Sequence, residues 1–162
     1  METESLWYEL RNLVSSKEFA RAESMLAANP ELYALRNSIG ETVLHFLAVE
    51  NDLEGVAWLY AHGFSLDTGT EFGEPMVFEV AVLGYKDLLL WLAQNGADFS
   101  AVDRENRGIM EYLIEGLTEG RDWVHQTPIT DGRAEEYWQR REDMARFLAE
   151  NVPGLSLPDE LK

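Results

Sequence analysis

Slid along itself by 33 residues, the sequence meets its own pattern several times in one register. Gly40-Glu41 returns as Gly73-Glu74, Ala48-Val49 as Ala81-Val82, Trp58-Leu59 as Trp91-Leu92, and Gly63 as Gly96. A further shift of the same size puts Asn106 beneath Gly73 and Met110 beneath Val77. One such pair is an ordinary coincidence. A set that includes two of the five tryptophans is a repeat. A unit of this length cannot bury its own apolar face, so neighbouring units must lean on one another to build a shared core.

Each unit reads as two short helices. An inner helix is predicted over Thr42–Glu50 and again over Pro75–Leu83, with Leu44, Leu47 and Ala48 on one face and Val77, Val80 and Ala81 on the other copy. The Thr42 hydroxyl suits an N-cap, and Pro75 suits a first turn that needs no N–H donor. Turns follow at Asn51-Asp52 and Gly84-Tyr85. Outer helices are predicted over Leu53–His62 and Asp87–Asn95, ended by Gly63 and Gly96 in the left-handed conformation. Phe64–Phe72 and Ala97–Glu105 are polar and turn-rich, and should project as hairpin-like loops. Upstream, Phe19, Ala22, Met25 and Leu26 form the apolar stripe of an earlier outer helix that stops at Asn29-Pro30.

A third inner helix, Gly108–Leu117, should turn Met110, Leu113, Ile114 and Leu117 inward. Its outer partner is delayed by an insertion, residues 118–132, with Trp123-Val124-His125 at its centre. A long helix is then predicted over Arg133–Asn151, with Tyr137, Arg141, Met144, Phe147 and Leu148 at helical spacing. Its polar run, Glu135-Glu136, Gln139-Arg140 and Glu142-Asp143, suits the outer face of a terminal unit.

The fold class expected is therefore all-α. The motifs resemble those of the ankyrin repeat family. The residues that carry the likeness are Asn37-Ser38-Ile39-Gly40-Glu41-Thr42-Val43-Leu44-His45 and Gly96-Ala97-Asp98-Phe99-Ser100-Ala101-Val102-Asp103. The resemblance implies a solenoid of about four helix-turn-helix units over one domain, residues 1–162. The units are approximately 5–36, 37–69, 70–102 and 103–157. Departures are plain: the family's Thr-Pro-Leu-His becomes Thr42-Val43-Leu44-His45, Pro75-Met76-Val77-Phe78 and Gly108-Ile109-Met110-Glu111. The loop-bridging histidine of the family is present only as His45, so the other loops must be held by packing or other contacts, and the second and third units are expected to be irregular. Trp58 and Trp91, one repeat apart, are expected to pack between adjacent units.

Charge narrows the function. Thirty acidic residues against 13 basic ones give a formal net charge of −17. Such a surface repels phosphate backbones and anionic lipid, so neither nucleic acid nor membrane is an expected partner. With no cysteine there is no disulfide, thiol nucleophile or thiolate metal site. The acidic start Met1-Glu2-Thr3-Glu4 does not resemble a secretory signal, and a cytoplasmic location is expected.

Catalytic signatures are wanting. There is no Gly-x-Ser-x-Gly, no Gly-x-x-x-x-Gly-Lys and no His-Glu-x-x-His. His45 reads as a loop-bridging structural residue, and His62 as a helix-end residue. His125 in the insertion is the weak catalytic candidate, Glu71 and Glu74 a weak carboxylate pair. Asp67-Thr68-Gly69-Thr70-Glu71 is too incomplete for a calcium loop. No enzyme activity, cofactor or metal is expected.

What the family resemblance does imply is a concave binding face of hairpin tips and inner-helix surfaces. Carried over by position, this face comprises Ser38, Ile39, Glu41, Val49 and Glu50, then Glu71, Phe72, Glu74, Val82 and Leu83, then Arg104, Glu105, Arg107 and Glu115. Apolar residues ringed by carboxylates are the anatomy of a protein interface. From Asn37 to Thr118 there are 14 acidic and 3 basic residues. The expectation is a monomer that binds and inhibits a basic protein, as an immunity protein or antitoxin does. The alternatives are an acidic mimic of nucleic acid that blocks a DNA-binding protein, and a general ankyrin adaptor.

Overall fold

Short helices joined by tight turns make up the chain in a computed structural model that describes residues 2–115 and 133–162. In order they are α1 (Glu2–Ser15), α2 (Phe19–Ala28), α3 (Val43–Val49), α4 (Leu53–Ala61), α5 (Met76–Leu83), α6 (Lys86–Gln94), α7 (residues 109–115) and α8 (Arg133–Asn151). Single 3-10 turns occupy Pro30–Tyr33 and Asp159–Leu161. Among the described residues there is no strand, only an isolated bridge between Gly69 and Pro75. No helix there is long and apolar enough to cross a membrane.

Local sequence explains the boundaries. The Thr42 hydroxyl accepts the His45 N–H at 3.2 Å and starts α3. The Asp52 carboxylate accepts the Gly55 N–H at 3.0 Å and starts α4. Gly63 and Gly96, with φ of 106° and 83°, stop α4 and α6 as their sequence positions predict. The expected helix Arg133–Asn151 is present with those bounds. The insertion at residues 118–132, with His125, and Leu117 lie outside the described residues.

Two compact units divide the chain, Met1–Met76 and Val77–Lys162. In the first, α1 packs on α2, α3 and α4, and α3 packs on α4. Trp7, Leu10, Leu13, Val14, Leu26, Leu44, Leu47, Val56 and Leu59 are its buried centre. Trp58 stacks on Phe19 with ring centroids 5.2 Å apart, so this outer-helix tryptophan packs on the preceding helix pair as expected. In the second unit, Val77, Phe78, Val80 and Ala81 of α5 are buried, as are Leu88, Leu89 and Leu92 of α6. Ile109, Met110, Leu113 and Ile114 of α7 and Trp138, Met144, Ala145 and Leu148 of α8 are likewise buried. Arg141 is the charged member of the α8 stripe. It is 8% exposed, lies over the Tyr112 ring and donates to the Tyr112 and Leu113 carbonyls. Each buried leucine contributes about 1.5–3 kcal/mol, so the apolar stripes outweigh the weak intrinsic stability of such short helices.

The repeat visible in the sequence returns as local backbone geometry. Helices α3, α5 and α7 begin at residues 43, 76 and 109, and α4 and α6 at 53 and 86. Left-handed residues recur at Gly40, Gly73 and Asn106, and at Asn51 and Gly84.

Candidate functional site

Three hairpin tips precede α3, α5 and α7, and each is anchored by one side-chain oxygen. Asn37 Oδ1 accepts the N–H groups of Ile39 and Glu41 at 3.1 and 2.9 Å. Thr70 Oγ1 accepts those of Phe72 and Glu74, each at 3.3 Å. Asp103 Oδ1 accepts those of Glu105 and Arg107 at 3.0 and 2.9 Å. The backbone closes each turn the same way: Asn37, Thr70 and Asp103 donate to the carbonyls of Glu41, Glu74 and Arg107. The second and third loops, which lack the histidine, are thus held by other contacts and close in the same way as the first. The residues that hold them were missed in the sequence. The signal was there, since Asn37, Thr70 and Asp103 fall in the repeat register and all offer a side-chain acceptor to a turn.

This anchoring pushes the tip residues outward. Ile39 and Phe72 occupy equivalent positions and are 48% and 65% exposed. Their hairpins are tied to each other within the first unit. The Glu71 N–H donates to the Ile39 carbonyl at 3.3 Å, and the Arg36 guanidinium donates to the carbonyls of Gly40 and Gly69 at 2.7 and 3.0 Å. Ser38, Glu50 and Glu71 are exposed, and Val49 and Glu74 are half-buried.

Glu41 departs from its expected place on the rim. It is 3% exposed, because its carboxylate folds back on the turn, accepting from Asn37 Nδ2 at 3.0 Å and lying 3.7 Å from His45 Nε2. His45 itself is fully buried, and His62 caps the end of α4 with Nδ1 2.8 Å from the Trp58 carbonyl.

In the second unit Leu83, Arg104 and Glu105 are exposed and Val82 is half-buried. Arg107 and Glu115, both expected on the binding face, meet each other at 2.6 Å, and Arg107 also pairs with Asp103 at 2.8 Å and Glu105 at 3.5 Å. The cluster fastens the third tip to α7. The hydrogen bond to Glu115 holds the Arg107 guanidinium above its ordinary range against the opposing effect of burial, and Asp103 adds to it. Burial pushes the Asp103 carboxyl up, but the Arg107 N–H, the Arg107 guanidinium and the Glu105 N–H outweigh it and leave it below its usual 3.8.

A pH dependence follows. A carboxyl whose folded pKa is depressed stabilises the fold above its unfolded pKa, and that contribution disappears as pH falls through the folded value. Asp103→Ala should lower the stability of the second unit by about 1 kcal/mol at neutral pH. The gap to wild type should shrink below pH 3.8. Urea unfolding across acid pH checks this; an unchanged gap at the acid end would contradict it.

No protein-family model matches the chain.

Proposed function

We propose that this chain is an ankyrin-like repeat solenoid that binds a basic protein and inhibits it, in the manner of an immunity protein or antitoxin, without performing a reaction of its own. The single observation behind the reading is the pair of exposed apolar tips, Ile39 and Phe72, on hairpins hydrogen-bonded to one another. Exposed apolar side chains on a fixed backbone are the anchors by which interfaces bind. The recurrence of helix starts and left-handed residues supports the repeat assignment. The net charge of −17 supports a basic partner, since it raises association rates with cations and excludes anions. In this reading the protein is a cytoplasmic monomer until its partner arrives.

The test is retention of basic proteins from lysate on immobilised protein at low and high salt. Wild type should retain a basic protein at low salt. Ile39→Asp with Phe72→Asp should weaken that retention by more than about tenfold while helical circular dichroism is unchanged. Retention of nothing basic at low salt refutes the reading. Loss of helix in the double variant would mean that these tips serve the fold.

A further inference from the structure

Within the first unit, α1 and α3 border an open cleft of about 590 Å³ whose lining includes Arg11, Asn12, Phe46, Glu50 and Asp52. Its two walls carry opposite charges that do not meet. Arg11 makes no ion pair among the described residues, although the chain carries 30 acidic groups. Its guanidinium carbon instead lies over the rings of Tyr8 and Phe46, 5.0 and 5.4 Å from their centroids. Nε and one terminal nitrogen donate to Asn12 Oδ1 at 3.1 and 2.7 Å. Glu50, at the end of α3, is exposed and likewise makes no ion pair among the described residues. Asp52 is committed to capping α4.

A guanidinium that lies over aromatic rings and is hydrogen-bonded has already lost much of its side-chain freedom, so it takes a carboxylate at a smaller entropic penalty than a solvated one. The neighbouring carboxylates disfavour a dianion such as phosphate and favour a single carboxylate accompanied by a cation. The cleft is too open to enclose a small metabolite, and suits a segment of polypeptide laid across it.

We infer that the α1–α3 cleft of the first unit is a two-point latch for a peptide segment of the partner, taking an acidic side chain on Arg11 and an adjacent basic side chain on Glu50. The inference rests on the basic-protein reading above and refines it. Bulk charge attracts any cationic protein, whereas a carboxylate demanded within a basic segment selects among them.

The probes are two blocked peptides, Lys-Lys-Gly-Glu-Gly-Lys-Lys and its Gln counterpart, titrated at low salt into the full-length protein labelled with nitrogen-15. The Glu peptide should shift the Arg11 Nε–H resonance and bind about threefold to fivefold tighter than the Gln peptide, the range of a partly exposed ion pair. Arg11→Gln should erase the preference and leave Gln-peptide affinity unchanged. Glu50→Gln, at an exposed position that leaves the fold intact, should weaken both peptides while keeping the preference. Equal binding of the two peptides to wild type overturns the latch and leaves the basic-partner reading standing. Binding of neither overturns both.

Discussion

Gly40→Val is expected to unfold the first unit at a markedly lower denaturant concentration than wild type, with a loss of at least about 3 kcal/mol. Two separate effects coincide at this glycine. Its φ of 87° lies in the left-handed region, where a β-branched residue is strained by about 1–2 kcal/mol. In addition, a Cβ there would sit 2.4 Å from the Glu71 backbone nitrogen and 2.9 Å from its Cβ. Neither neighbour is the far end of a flexible side chain, so the two hairpins would have to part. Their parting would break the bond from Glu71 N–H to the Ile39 carbonyl. Gly96→Val separates the effects. Gly96 has φ 83°, but a Cβ there meets nothing within 4 Å, so only the backbone term of about 1–2 kcal/mol applies. Urea unfolding of both variants, followed by circular dichroism, should therefore place Gly40→Val well below Gly96→Val. Equal losses would mean that the hairpins are not held together. Gly40→Val should also cost binding, because the tips of Ile39 and Phe72 would no longer be fixed side by side.

The helices were legible because their signals are local. Leu44, Leu47 and Ala48 share a face by spacing, Thr42 offers a cap, and Gly63 and Gly96 stop what precedes them; each statement needs only neighbours in the chain. The exposed tips Ile39 and Phe72 were legible for the same reason, since the repeat register fixes which residue of a turn points outward. Glu41 was misplaced because its burial depends on where a carboxylate folds once Asn37 and His45 are in position, a matter of tertiary packing. The ion pair between Arg107 and Glu115 is not legible in the sequence, because an eight-residue separation does not reveal that the turn and α7 bring them to 2.6 Å. Arg11 went unnoticed altogether. Nothing in Leu10-Arg11-Asn12 announces that Phe46, from another helix, will lie under its guanidinium.

Trp7→Ala is expected to be the other severe substitution, destabilising the first unit by about 3–5 kcal/mol, the usual range for emptying a buried aromatic site. Trp7 is 1% exposed and meets Phe46 edge-on at 5.5 Å, so the ring joins α1 to α3. Its Nε1–H donates to the Glu41 carbonyl at 3.1 Å. That carbonyl also accepts the Asn37 N–H at 2.9 Å, so removing the indole does not leave it without a donor. The loss is then mainly cavity and packing, and Trp7→Phe, which keeps most of the ring volume, should lose less than half as much. Urea unfolding measures both, and a loss under about 1 kcal/mol for Trp7→Ala would show that α1 is not integral to the unit. The consequence reaches the cleft. Arg11 and Tyr8 ride on the same helix as Trp7 and meet Phe46 of α3, so an α1 that is no longer pinned lets the guanidinium leave its aromatic seat. Trp7→Ala should accordingly lose the preference for the Glu peptide along with stability. Ile39→Asp and Phe72→Asp, which alter only exposed tips, should leave that preference in place.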